Sequence, residues 1–397
     1  MRSAARRAWP WAALLVGLGG PAWLWPQDWV LGYLAQTAAL IVLALSYNLL
    51  LGATGLLSFG HAALAGLGAF AAAHVFARHG LPLPLLPLAG GLAGAGFGAL
   101  FGSVATRRAG TAFAMITLGL GELVAAAAWS VPDWFGGPGG VPIDRARDAA
   151  WYGPSPHAYA LIAGWCMLAA LAMRAFTRTP FARLANAVRD NPARVAALGT
   201  DPRRVRFAMM VVAGFFAGIA GTLTLIDVEV ASTESVGMLR SGAVLFAVVI
   251  GGTGTFFGPV VGAALLVFFS VFVASVSRAW LLYLGIGFVA VVVAAPDGLG
   301  GIWTRHAARR AAGTRVNRPR AACALLAALA GVVASVIVVE LGYAWRFAQD
   351  AGGVAALGPW RVAADAPAGW CAALGAALLA LALGLAARRA GGAEPAR

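Results

Sequence analysis

"VLGYLAQTAALIVLALSYNLLL", residues 30–51, is an apolar run without one charged side chain. A hydrocarbon core about 30 Å thick takes roughly 20 such residues in a helix, so this run is long enough to cross it. Comparable runs recur near 9–26, 56–77, 83–105, 110–130, 158–177, 207–226, 241–257, 259–277, 279–296, 321–341 and 369–388. With 61% hydrophobic and 11% charged residues, the composition lies far from that of a soluble domain. The reading is an all-α, polytopic transmembrane bundle. A β-barrel would show runs of about 10 residues alternating apolar and polar, and the chain has none. The basic, apolar start "MRSAARRAWPWAALLVGLGGPAW" has the look of a signal peptide. No convincing small-residue cleavage site precedes Trp23-Leu24-Trp25-Pro26, so an uncleaved first helix is expected.

The net charge of +14 invites a nucleic-acid reading, but all 29 basic residues are Arg and they cluster between the apolar runs. That is a topology signal. With the N-terminus inside, 22 of the 29 arginines fall on the inner side, eight of them between 174 and 206. Without lysine there is no GxxxxGK[ST] phosphate loop and no lysine Schiff base, so this chain cannot by itself hydrolyse ATP in the usual P-loop way. Cys166, Cys323 and Cys371 are odd in number, lie in or beside apolar runs and read as small hydrophobes.

One inner loop stands out: "RLANAVRDNPARVAALGTDPRRVR", residues 183–206. Asn191 followed by Pro192 supplies an N-cap and a first-turn proline, and Gly199 a left-handed end, which predicts a helix over 192–198. So short a helix is unstable alone, because isolated helices need about 12–15 residues. Ala193, Ala196 and Ala197 form a small-residue face, with Val195 and Leu198 as an apolar edge. Elsewhere, Gly90, Gly94, Gly98 and Gly102 put a strip of bare backbone on one helix face, suited to close helix packing, with Gly214 and Gly218 a lesser pair. "GATG" (52–55) and "GGTG" (251–254) form a short internal repeat; each is either a simple turn or unwound backbone lining a cavity. Gly258-Pro259 leaves open a re-entrant pair in place of two spans.

Polar residues within apolar runs are few. Glu122 is expected to face the bundle or a wet cavity, either as a pathway residue or as a protonated structural carboxyl. Ser58 and His61 share a helix face by their spacing of three; the histidine reads as hydrogen-bonded packing or as a proton carrier. Neither a metal-ligand cluster nor a Ser/His/Asp arrangement is legible. In the outer loop 131–157, Trp134, Phe135, Trp151 and Tyr152 serve either a binding protein or the membrane interface.

Four ordered segments carry a resemblance to the membrane subunits of bacterial branched-chain amino acid ABC importers, and to their M-type in particular. They are "LSYNLLLGATGLLSFGHAALAGLGAF" (45–70), "TLGLGELVAAAAWSVPDWFGGPGGV" (117–141), "AVRDNPARVAALGTDPRRVRFAMMVVAGFFAGIAG" (187–221), and "VVIGGTGTFFGPVVGAALL" (248–266) with "APDGLGGIW" (295–303). The resemblance implies an importer permease core over 1–303 of about 10 spans, with 178–206 as its coupling loop. It implies partner ATPases that bind ATP and Mg, a sister permease, a periplasmic solute-binding protein and a place in the bacterial inner membrane. Coupling residues carry over to Arg189, Asp190, Ala193, Ala196, Ala197 and Gly199, and pathway candidates are Gly55, Ser58, Gly60, His61, Glu122, Gly252 and Gly254. No catalytic residue and no cofactor of this chain is expected. The solute expected is a branched-chain or related amino acid, or an amide or urea-like compound. Pro192 departs from the family's usual acidic or small residue, and 304–397 adds an Arg-rich linker (304–320) and a two-span hairpin that the core does not need. A competing class is an ion-coupled carrier working alone through Glu122 and His61. An integral membrane enzyme is a third, and lacks polar catalytic clusters.

Overall fold

The computed structural model describes residues 2–147, 151–295, 297–311, 318–347, 354–357, 360–363 and 367–389. Apolar sequence in hydrocarbon must satisfy its backbone internally, so helices dominate. In chain order they are α1 (Arg2–Leu24), α2 (Asp28–Thr54), α3 (His61–His79), α4 (Leu86–Ala105), α5 (Thr111–Ser130) and the single turn α6 (Pro132–Phe135). There follow α7 (Ser155–Phe176), α8 (Pro180–Asp190), α9 (Pro192–Ala197), α10 (Pro202–Val228), α11 (Met238–Gly251) and α12 (Gly258–Val267). A π-helical turn (Phe268–Val273) continues into α13 (Ala274–Val276), and α14 (Trp280–Ala294), α15 (Gly298–Ala311), α16 (Arg318–Phe347) and α17 (Pro367–Arg389) complete the set. Two short antiparallel pairs join β1 (Val141–Pro142) to β2 (Val230–Ala231), and β3 (Val354–Leu357) to β4 (Trp360–Ala363).

Each of the twelve apolar runs overlaps a helix, although the 241–257 run is helical only to Gly251, and nine helices among the described residues are long and apolar enough to cross a membrane. α11 is not among them: its 14 residues span about 21 Å, short of a hydrocarbon core. The run predicted to be helical from 56 becomes helical only at His61. Gly55 closes α2 in a left-handed conformation, its N–H on the Leu51 carbonyl at 2.9 Å, and residues 55–60 cross over as open backbone. Ser58 therefore stands in this crossover, not on a helix face shared with His61, because a shared face needs continuous helical turns between them.

The chain divides into two compact units. In the first, Met1–Phe268 with Phe288–Ile302, α2 and α10 are the central spans. α2 touches α1, α7, α8, α10, α11 and α12, while α10 touches α2, α3, α4, α7 and α8. Both are apolar around their whole circumference, as helices packed on all sides must be. α4 lies along α10 through glycine: a Cβ on Gly94 would stand 2.9 Å from the Gly218 Cα, and one on Gly98 2.9 Å from the Met210 carbonyl oxygen. A Cβ on Gly90 would overlap the Thr222 hydroxyl, and one on Gly102 would stand 3.2 Å from the Phe207 ring. α3 joins the same contact, with Gly68 facing Gly218 and Gly90.

The second unit comprises Phe269–Gly287 and Trp303–Arg397. Within it α16 packs on α17, and the Glu340 carboxylate accepts hydrogen bonds from Ser277 Oγ at 2.5 Å and Tyr283 Oη at 2.6 Å. Residues 312–317 of the Arg-rich linker and the tail from 390 lie outside the described residues.

Candidate functional site

The inner loop between α7 and α10 is built from three short-side-chain–proline starts in succession. The Thr179 hydroxyl accepts from Ala182 N at 3.3 Å, the Asn191 carboxamide from Arg194 N at 2.9 Å, and the Asp201 carboxylate from Arg203 N at 2.8 Å. Each supplies an acceptor to donors that a helix start leaves free, and each is followed by proline, which has no N–H to satisfy. The second is the signature that predicted the 192–198 helix, present as α9. The first marks α8, which the sequence reading passed over although Thr179-Pro180 carries the same signal. α8 buries Ala182, Ala185 and Val188 and touches α2, α9 and α10.

α9 is held by one side chain. Val195 is buried, whereas Ala193, Ala196 and Ala197 are exposed and Leu198 is 79% exposed. The expected edge of Val195 and Leu198 is thus divided, with one residue anchoring and the other outward. Gly199 at φ +86° turns the chain in the left-handed region and donates its N–H to the Ala196 carbonyl at 2.9 Å.

Arg189, at the end of α8, pairs with Asp190 at 3.2 Å and donates from Nη1 to the Gly52 carbonyl at 2.5 Å. Gly55 lies beneath it, since a Cβ there would stand 3.1 Å from Arg189 Cγ. The same Gly52 faces the second glycine-rich interruption: its Cβ would stand 3.1 Å from the Thr253 carbonyl oxygen. Gly252 in turn abuts the turn at Asp297 and Gly298, while Gly254 is exposed with open space around it. The two members of the short repeat thus meet at the end of α2, beside Arg189.

The crossover after α2 rests on α5. Phe59 N donates to Thr117 Oγ1 at 3.2 Å, a Cβ on Gly60 would overlap the Thr117 carbonyl, and Ser58 N donates to Tyr47 Oη at 3.2 Å. His61 is fully buried, its Nε2 2.9 Å from Ser46 Oγ and its ring edge-on to Tyr47 at 5.0 Å. Its Nδ1 and the Ser58 hydroxyl, both buried, have no hydrogen-bond partner among the described residues. Glu122, expected to face the bundle or a wet cavity, is exposed on α5 in this single chain and forms no ion pair among the described residues. The structure places Ser58 and His61 against α2, through Tyr47 and Ser46, and Gly60 against Thr117 of α5; among the described residues no hydrogen bond or ion pair joins Glu122 to His61.

At the ends of the helices predicted to face outward, β1 and β2 clip the 131–147 loop to the chain following α10, and the Arg145 guanidinium reaches the Glu229 carboxylate at 2.6 Å. Phe135 is buried against Phe70, Trp134 is half-buried beside His74, and Trp151 remains exposed, stacked on His157 at 4.1 Å. Trp23, Trp25 and Trp29 are also exposed around the α1–α2 turn, where an aromatic belt meets headgroups.

Residues 29–294 match the family described as "Branched-chain amino acid transport system / permease component". The chain is 30% identical over 289 residues to the high-affinity branched-chain amino acid transport system permease protein LivM of Escherichia coli (strain K12), covering 66% of this chain and 68% of that protein. It is likewise 30% identical, with the same coverage, to LivM of Salmonella typhimurium (strain LT2). No solved structure matches the chain. This is a multi-pass membrane protein whose family consists of transporter components, not enzymes, and the chain belongs to the permease component family of branched-chain amino acid transport systems, resembling its LivM members.

Proposed function

We propose that this chain is the membrane subunit of an ATP-driven importer that carries branched-chain or related amino acids from the periplasm across the bacterial inner membrane. The observation that carries the reading is the exposed alanine face of α9, anchored by Val195, beside an arginine hydrogen-bonded to the end of α2. Partner ATPases, binding ATP and Mg, dock on that face. Their closure moves α8 and α9 together, and Arg189 passes the movement to the crossover at 55–60 and to the 251–254 turn. A periplasmic binding protein supplies the solute at the outer surface.

A sister permease completes the pathway. On α5, Met115, Gly119, Glu122, Ala126 and Trp129 lie on one exposed face, and Glu122 is its one charge. A carboxylate facing lipid costs on the order of 2.5–3.5 kcal/mol, so a wet or protein-covered surface suits this face better.

The test is to purify the tagged full chain from its native membrane in mild detergent and identify what accompanies it. A phosphate-loop ATPase and a second permease are expected. A homo-oligomer that persists under gentle crosslinking with no ATPase would overturn the reading in favour of a carrier working alone. Within the assembled importer, Arg189→Ala is expected to reduce ATP-driven uptake about tenfold, the worth of one charge-assisted hydrogen bond, while the ATPase stays bound. Unchanged uptake would remove Arg189 from the transmission path.

A further inference from the structure

Between α3, α10 and the start of α11 lies an open pocket with a cavity volume of about 80 Å³. Thr224, Ser232, Ser235 and Arg240 supply its polar wall, and Leu225 and Val228 part of its apolar one. Arg240 is the exceptional member. Its Nη2 donates to Thr224 Oγ1 at 3.2 Å, and no carboxylate pairs with it among the described residues. Of the acids around the end of α10, Glu229 is engaged by Arg145, and neither Asp227 nor Glu234 forms an ion pair among the described residues. A guanidinium carries five N–H donors and keeps its charge at any physiological pH, so one bond to a hydroxyl leaves most of its capacity unused. A cation in an apolar helical bundle is costly, and where it occurs it faces a partner or a site. A concave wall with a few convergent polar groups and an apolar remainder is the usual form of a small-molecule site.

We propose that this pocket is a carboxylate subsite: Arg240 holds the carboxylate of the transported amino acid, Thr224 and the two serines hydrogen-bond around it, and Leu225 and Val228 take its branched side chain. The proposal rests on the transport function above and adds a residue-level site for the solute. The requirement is chemical. A planar carboxylate fits the guanidinium fork with two parallel hydrogen bonds, which the neutral amide of the same shape does not reproduce.

The purified full-length chain provides a test that needs no transport. Isovalerate, a branched carboxylate without an amine, is expected to raise the thermal unfolding midpoint by about 2 °C at saturating concentration, and isovaleramide to leave it unchanged. Arg240→Gln should erase the difference between the two compounds, and Arg240→Lys should keep part of it. In the reconstituted importer, Arg240→Gln should lower leucine uptake about tenfold. Equal shifts from isovalerate and isovaleramide on the unaltered chain would overturn the proposal, whether or not the variant folds. So would a shift produced by inorganic phosphate and not by isovalerate, which would reassign the pocket to a phosphate or lipid headgroup. If the assembled importer carries no branched-chain amino acid while the carboxylate shift persists, the transport function fails and the subsite stands.

Discussion

Ala196→Arg is expected to reduce ATP-driven uptake by about a hundredfold while the chain still folds and inserts. The side chain at 196 is exposed on α9, so the added guanidinium meets nothing within this chain. It would meet the partner instead. A helix face made of Ala193, Ala196 and Ala197 fits a shallow groove closely, and a long charged side chain at its centre introduces both a clash and an unpaired charge. Truncations at the centre of such interfaces commonly cost 2 kcal/mol or more, and insertion of a charge is at least as severe. Asn186→Arg, on an exposed position of α8, is the matched control and should change uptake by less than about twofold. Gly199→Asp should act in the same direction for a different reason. At φ +86° a residue with a Cβ is strained by roughly 1–2 kcal/mol, which loosens the end of α9. Reconstituted vesicles with defined ATPase read out all three variants. Normal uptake with Ala196→Arg would show that α9 is not where force enters.

A large effect on stability is expected at Gly218. A Cβ there would overlap the Gly90 carbonyl oxygen and stand 3.1 Å from the Gly94 Cα, so the obstacle is backbone on the facing helix and not a side chain able to swing aside. Gly218→Ala should therefore destabilise the fold by about 1–3 kcal/mol, and Gly218→Leu more. Gly96 gives the comparison within the same helix pair, because a Cβ at that position of α4 meets nothing within 4 Å. Gly96→Ala should be neutral or slightly stabilising, by up to roughly 1 kcal/mol from helix propensity. Unfolding midpoints in a fixed detergent would compare the two. Equal responses at 96 and 218 would mean that α4 and α10 are not held by close backbone approach.

The apolar runs were legible because each helix in hydrocarbon must be about as long as the layer is thick, and that length shows in the sequence. The start of α9 was legible for a different reason, since Asn191-Pro192 and Gly199 are local chemistry that needs no tertiary context. What stayed hidden was set by neighbours. The crossover at 55–60 is as apolar as the helices around it, and it is open where Phe59 N donates to Thr117 Oγ1 and Gly60 packs against the Thr117 carbonyl, far away in the chain. Glu122 shows the limit of burial reasoning: a costly carboxylate must avoid lipid, but the sequence does not distinguish the inside of one chain from a surface shared by two. The pairing of Arg189 with the Gly52 carbonyl was out of reach as well, because a backbone acceptor has no identity in the sequence.

The three proline-started segments at Thr179, Asn191 and Asp201 bear on how quickly a partner can engage this loop. Proline narrows the conformations open to a chain before any contact forms, so the face proposed to dock an ATPase would already be shaped when that partner arrives. Little ordering entropy is then lost on encounter, and a stiff loop transmits a displacement instead of absorbing it as bending. On the proposed function, such a loop would release and recapture its ATPase in every turnover cycle without refolding each time.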